Sequence, residues 1–260
     1  MSQILQREIR LFLTALTFYT RIPAPKSFIF DAGLMSESIK YLPFLGVLVG
    51  IVAALVMWLT ALVLPVTIAV LISMMISILI TGAFHEDGLA DACDGLGGGW
   101  EKSQVLTIMK DSRIGSYGVI SLVLVLLLKF ELISGLAEQQ MYLVWVALPA
   151  AHGLSRLAAV LIAQFTNYIS LSAGQSKSAQ AVAERLNIRQ LILASALVLP
   201  ALLLLPVSSA LLAILSAGVL GGVMRTWFIR RIGGYTGDCL GAVQQLVEVA
   251  CYLAIAASLF

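Results

Sequence analysis

An all-α bundle of membrane-crossing helices follows from three observations on this 260-residue chain. Its mean hydropathy is +0.99, too apolar for an ordinary soluble domain. Several uninterrupted apolar runs reach about 20 residues, the length a helix needs to cross the hydrocarbon core. Lys and Arg are missing from alternate loops, as in polytopic membrane proteins. No internal repeat, low-complexity segment or second domain is visible, so residues 1–260 read as a single integral membrane domain.

The N-terminal stretch carries Arg7, Glu8 and Arg10 inside its apolar pattern and lacks a small-residue cleavage site, so no cleavable signal peptide is expected. Leu5, Ile9, Phe12, Leu16 and Tyr19 recur at helical spacing opposite Arg7, Arg10, Thr14 and Thr17. That spacing predicts an amphipathic helix before the break at Pro23 and Pro25, either lying in the membrane interface or packed as a short core helix. About seven spans follow, near Pro43–Leu64, Val66–Phe84, Ser116–Gly135, Met141–Ala163, Leu191–Leu205, Val207–Val223 and Leu240–Leu259. The loops near Pro65, Glu138 and Pro206 hold no Lys or Arg, whereas all 16 basic residues except Lys129 lie on the other side or at its membrane edge. That side is therefore the cytoplasm, with the N-terminus inside and the C-terminus outside. Gly174–Ser178 reads as a mobile loop and Ala179–Arg185 as helical turns.

Glu86, Asp87, Asp91 and Asp94 put four carboxylates into nine residues of a chain that is 60% hydrophobic and 12% charged. On a helix, Asp87, Asp91 and Asp94 share an arc of roughly 60°, with Glu86 about a quarter turn away. Three converging carboxylates repel one another unless a cation sits between them, and an all-oxygen set favours Mg²⁺ completed by substrate phosphates. Small residues follow Asp87 and leave room for a ligand. A merely solvated acidic face is the bland alternative, and its position at a membrane edge argues against it.

Two further polar segments adjoin spans. In Lys110–Gly118, Lys110 and Arg113 can neutralise phosphate oxygens, and Gly115 and Gly118 let backbone N–H groups approach an anion at a helix start. In Gly233–Gly241, Asp238 is either a functional carboxylate or the N-cap of the last helix. Glu248 stands inside that helix and needs a partner or a wet cavity, and His152 and Arg156, one turn apart, pose the same question. Cys93, Cys239 and Cys251 show no paired spacing, so neither a disulfide nor zinc is expected. A net charge of +2 with no basic–aromatic patch gives no reason to expect nucleic acid.

Five blocks in register, Phe18–Pro23, Tyr41–Gly46, the acidic cluster, Lys110–Gly118 and Gly233–Gly241, resemble the cobalamin synthase (adenosylcobinamide-GDP ribazoletransferase) family over nearly the whole chain. The acidic cluster is also similar to a shortened aspartate signature of CDP-alcohol phosphotransferases. The resemblance implies a Mg²⁺-dependent membrane enzyme that joins adenosylcobinamide-GDP to α-ribazole or its 5′-phosphate and releases GMP, with its site facing the cytoplasm from the inner membrane. The family's acidic motif falls on Glu86, Asp87, Asp91 and Asp94, and its Thr-Gly-Asp motif on Thr236, Gly237 and Asp238. Gln245 departs from the pattern, which places an acidic residue three positions before the Glu matching Glu248.

The resulting expectation assigns Asp87, Asp91 and Asp94 to Mg²⁺, Glu86 and Asp238 to base catalysis, and Lys110, Arg113, Arg156 and Gly237 to substrate. Partners are the two small molecules and the lipid bilayer, with a homo-oligomer left open. The rival reading is a cation or proton transporter using intramembrane carboxylates. The charge asymmetry gives a direct topology test. A reporter fused after Phe260 is expected to read as non-cytoplasmic and one inserted near Gly174 as cytoplasmic; both on one side would put the span count off by one.

Overall fold

The computed structural model describes residues 3–169 and 185–259, and the chain is helical almost throughout. The loop expected at Gly174–Ser178 and the turns expected from Ala179 fall outside those residues, apart from Arg185. Helix α1 (Gln3–Tyr19) buries Leu11, Thr14, Ala15 and Tyr19 while leaving Leu5 and Ile9 exposed. Thr14 fits on the buried side because its hydroxyl bonds back to the Arg10 carbonyl at 2.8 Å. Lys40, only 2% exposed, ties the following helical turns to α1 through Glu8 at 2.9 Å.

Helix α2 (Leu42–Ala61) continues from those turns, and α3 (Val66–Thr81) runs back beside it. The chain then bends by 86° into α4 (Phe84–Gly98), the acidic helix, followed by the short α5 (Lys102–Ile108). Helices α6 (Ser116–Gln139) and α7 (Met141–Phe165) come next. After them stand α8 (Ile188–Ala196), α9 (Leu199–Leu203), α10 (Val207–Ile232) and α11 (Gly237–Ala257). Among the described residues five helices are long and apolar enough to cross a membrane, or six if the bent α3–α4 pair is one span.

The expected count of about seven is approximate for two physical reasons. The second expected span is the 16-residue α3, which ends at the elbow instead of continuing. The expected span at Leu191–Leu205 is a broken helix whose halves part before Pro200, which has no N–H to give the Ala196 carbonyl. Helix α10 extends well beyond the expected Val223 to Ile232, and its last turn holds Arg230 and Arg231, the charge that suits a helix C-terminus.

The elbow sets the direction of α4. Gly82 and Ala83 both adopt left-handed backbone, with φ of 66° and 58°. The Gly82 and Ala83 N–H groups then close on the last α3 carbonyls, Ala83 reaching Ile78 at 2.9 Å. The Phe18–Pro23 block braces the bend: Arg21 N–H donates to the Ile80 carbonyl at 2.7 Å, and Phe18 and Tyr19 pack edge-on against Phe84. A side chain at position 82 would run into Arg21. Gly82→Ala is expected to destabilise the protein by about 1–2 kcal/mol from left-handed strain alone, while Ala83→Gly relieves strain. Thermal unfolding in detergent checks this, with the two midpoints expected to move in opposite directions.

Candidate active site

Helix α11 holds the site together because it packs against α4, α6, α7 and α10 at once. Where α11 crosses α4, Gly88 meets Gly241 and the Asp238 backbone, so close that a Cβ on either glycine would touch the other helix's backbone. This crossing brings Asp238 to the acidic helix across 144 residues of chain separating it from Asp94. The backbones of the two motif segments thus meet at one crossing. Asp91 lies within electrostatic reach of Asp238, Asp87 and Asp94, and Asp238 within reach of Asp87 and Lys110.

The capping of α11 frees Asp238. Thr236 is the N-cap, its Oγ1 accepting from the Cys239 N–H at 3.3 Å and donating to the Asp238 carboxylate at 3.3 Å. Asp238 lines a cavity of about 160 Å³ together with Lys110, Tyr168, Ile169, Thr236 and Gly237. Tyr168 was not foreseen. A backbone bridge, in which Ile169 N–H donates to Tyr235 O at 2.8 Å and Tyr235 N–H to Asn167 O at 3.0 Å, brings it there. Burial, and then the Asp238 charge, push the Tyr168 phenol above its ordinary pKa, keeping it a proton donor at neutral pH. An aromatic residue in a polar connection was the only sequence signal for it.

The four carboxylates of the cluster go to different places. Asp87 is exposed and Asp91 half-buried, so these two face outward beside Asp238. Asp94 is buried, and both its oxygens accept backbone N–H groups, from Gly115 at 2.7 Å and Gly118 at 2.8 Å. The anion expected at the start of α6 is thus the protein's own Asp94. Glu86 turns inward, where its Oε1 accepts from Gln245 Nε2 at 2.8 Å and its Oε2 has no partner. Arg113 forms a two-pronged pair with Asp111, at 3.0 and 2.6 Å, and this pairing holds the exposed Asp111 carboxyl down to about 2. Arg113 is therefore already engaged, and clamping a phosphate would require it to leave Asp111.

Arg156 lies away from the cavity, in a buried network around Glu248. Lys129 pairs with Glu248 Oε1 at 2.5 Å, His152 Nε2 stands 3.3 Å from the same oxygen, and Tyr252 donates to it at 3.2 Å. Arg156 donates to His152 Nδ1 at 3.1 Å. A guanidinium can only donate, so Nδ1 accepts and the neutral ring carries its proton on Nε2, toward Glu248. Lys129, the exception to the charge rule, is thus the partner that Glu248 needed.

Among the described residues no group of three or more His, Cys, Asp or Glu stands close enough to hold a metal ion by itself. The expected Asp87–Asp91–Asp94 cage is not formed, because Asp94 is taken by α6. The donors left open, Asp87 and Asp91 with Asp238 opposite, suit a hard cation arriving on a diphosphate, since Mg²⁺ is commonly held by one or two carboxylates plus phosphate oxygens.

Comparison with known proteins gives the arrangement a family. The family model for cobalamin-5-phosphate synthase matches residues 11–256. The chain belongs to the cobalamin-5-phosphate synthase family. Relatives named adenosylcobinamide-GDP ribazoletransferase include one from Shewanella piezotolerans, 42% identical over 248 residues and covering 95% of both chains. Another, from Vibrio cholerae, is 39% identical over 260 residues, covering 100% of this chain and 98% of the relative. No solved structure matches the chain. The cobalamin-5-phosphate synthase assignment leaves the transporter reading without support.

The buried network should govern stability more than chemistry. Lys129→Ala strands the Glu248 charge in the bundle and is expected to cost about 3–5 kcal/mol. Replacing the pair together, Lys129→Met with Glu248→Leu, should recover most of that loss. Chemical or thermal unfolding of the purified variants reads both.

Proposed function

We propose that the protein joins adenosylcobinamide-GDP to α-ribazole, or to its 5′-phosphate, with release of GMP. The observation that carries this reading is that the α4–α11 crossing brings Asp238 within electrostatic reach of Asp87, Asp91 and Lys110. In the reaction the ribazole hydroxyl oxygen bonds to the phosphorus on the cobinamide arm, and the bond from that phosphorus to the bridging diphosphate oxygen breaks. GMP takes the bridging oxygen and its electron pair, and the hydroxyl proton leaves for a base.

Asp87 and Asp91 would hold Mg²⁺ that travels with the diphosphate, supplying positive charge against the leaving phosphate. Lys110, across the cavity from Asp238, neutralises non-bridging oxygens. Asp238 is the better placed of the two expected bases: it lines the cavity, whereas Glu86 is buried and bonded to Gln245. Gly237, at the first position of α11, lets a phosphate approach the backbone there. The basic residues gathered at the same membrane edge support a site facing the cytoplasm from the inner membrane.

Purified protein with Mg²⁺, adenosylcobinamide-GDP and α-ribazole is expected to release GMP, and absence of release overturns the proposal. Asp87→Ala and Asp91→Ala should each lower turnover by about 10²-fold or more. Asp238→Asn should lower it by about 10²–10⁴-fold with little change in the substrate's KM.

A further inference from the structure

Asp94 occupies an unusual position for a carboxylate in an acidic cluster. Helix α6 begins with Gly115 as N-cap, which has no side chain to satisfy the first N–H groups of the helix. In a capping box the N-cap side chain accepts from the third residue of the helix, and that residue's side chain reaches back to the N-cap N–H. Here both of those positions are glycine, Gly115 and Gly118, and one carboxylate from another helix serves both N–H groups. A Cβ at either glycine would land on the Asp94 carboxylate, so neither position admits a side chain while Asp94 keeps its place.

The electrostatics agree with the geometry. The positive end of α6 and two charge-assisted hydrogen bonds neutralise Asp94 without a cation. The Asp94 charge is thus held by α6 while still within electrostatic reach of Asp91. The α6 N-terminus also fixes where the preceding Lys110–Ile114 segment ends, and Lys110 lines the cavity beside Asp238.

From this we infer that Asp94 is a positioning residue that caps α6 from outside and so places Lys110 at the cavity, and that it does not bind the metal. The inference rests on the proposed transferase reading for its catalytic half. Its structural half stands on the hydrogen bonds alone.

Amide hydrogen exchange on substrate-free, metal-free protein tests the cap. Asp94→Ala should speed exchange of the Gly115–Gly118 amides by about tenfold, whereas Asp87→Ala should leave them unchanged. Asp94→Asn, which keeps one acceptor oxygen, should fall between these and serves if the alanine variant does not fold. Unchanged exchange in the Asp94 variants overturns the cap. GMP release against Mg²⁺ concentration tests the second half: Asp94→Asn should lower kcat with the half-saturating Mg²⁺ unchanged, whereas Asp91→Asn should raise it by about tenfold or more. A matching rise in Asp94→Asn overturns the positioning role. Wild-type protein that releases no GMP, with the exchange pattern intact, would overturn the transferase reading and leave the cap standing.

Discussion

The pairing of Lys129 with Glu248 is the constraint on which the bundle's arrangement depends. Neither charge tolerates an apolar interior alone, and the observed packing of α6 on α11 brings the two together. Gln244, one turn before Glu248, donates to its other oxygen, and Gln245 bonds both Gln244 and Glu86. The network therefore runs from α6 and α7 through α11 to the first turn of α4. Because α11 is fixed along its length by Glu248, its N-terminal turn is fixed too, and with it Asp238. The distance from a buried ion pair to the candidate site is thus bridged by one rigid helix.

Much of this could be read in the sequence, because periodicity and charge are local. The helical acidic cluster, the glycine-marked helix starts and the long apolar runs all rest on residues whose chemistry is visible without neighbours. What could not be read depends on partners far along the chain. Lys129 looked like an exception to the charge rule until Glu248 was found 2.5 Å away. Gly115 and Gly118 signalled an anion correctly, but the spacing gave no means of telling a substrate phosphate from Asp94. Asp238 could be a cap or a free carboxylate, and the choice turned on Thr236 taking the capping role. The span count is approximate at the elbow, where two left-handed residues redirect an apolar run, and at Pro200, which interrupts another.

Three backbone devices position the acidic helix. The Gly82–Ala83 elbow fixes its start, and the Gly88–Gly241 crossing fixes its middle against α11. At its end Arg231, from the last turn of α10, donates to the carbonyls of Leu96 at 3.1 Å and Gly99 at 2.6 Å. A cation there complements the negative end of the α4 dipole. An arginine and several glycines thus hold in place a helix whose carboxylates and glycines leave it too polar to be anchored by lipid.

A single helix resolves the problem of four neighbouring carboxylates by sending Glu86 and Asp94 to separate partners and leaving Asp87 and Asp91 facing outward together. The roughly 100° step per residue separates Glu86 from Asp87, so the first turns inward to Gln245 and within electrostatic reach of Arg156, while the second faces out. Asp94 lies near Asp87 in angle but two turns further along, where the start of α6 receives it. Among the described residues no ion pair is made by Asp87 or Asp91, and they are the pair beside Asp238. The uncompensated charge is therefore concentrated where a cation-bearing diphosphate would dock, and the rest of the cluster's charge is absorbed by the fold itself.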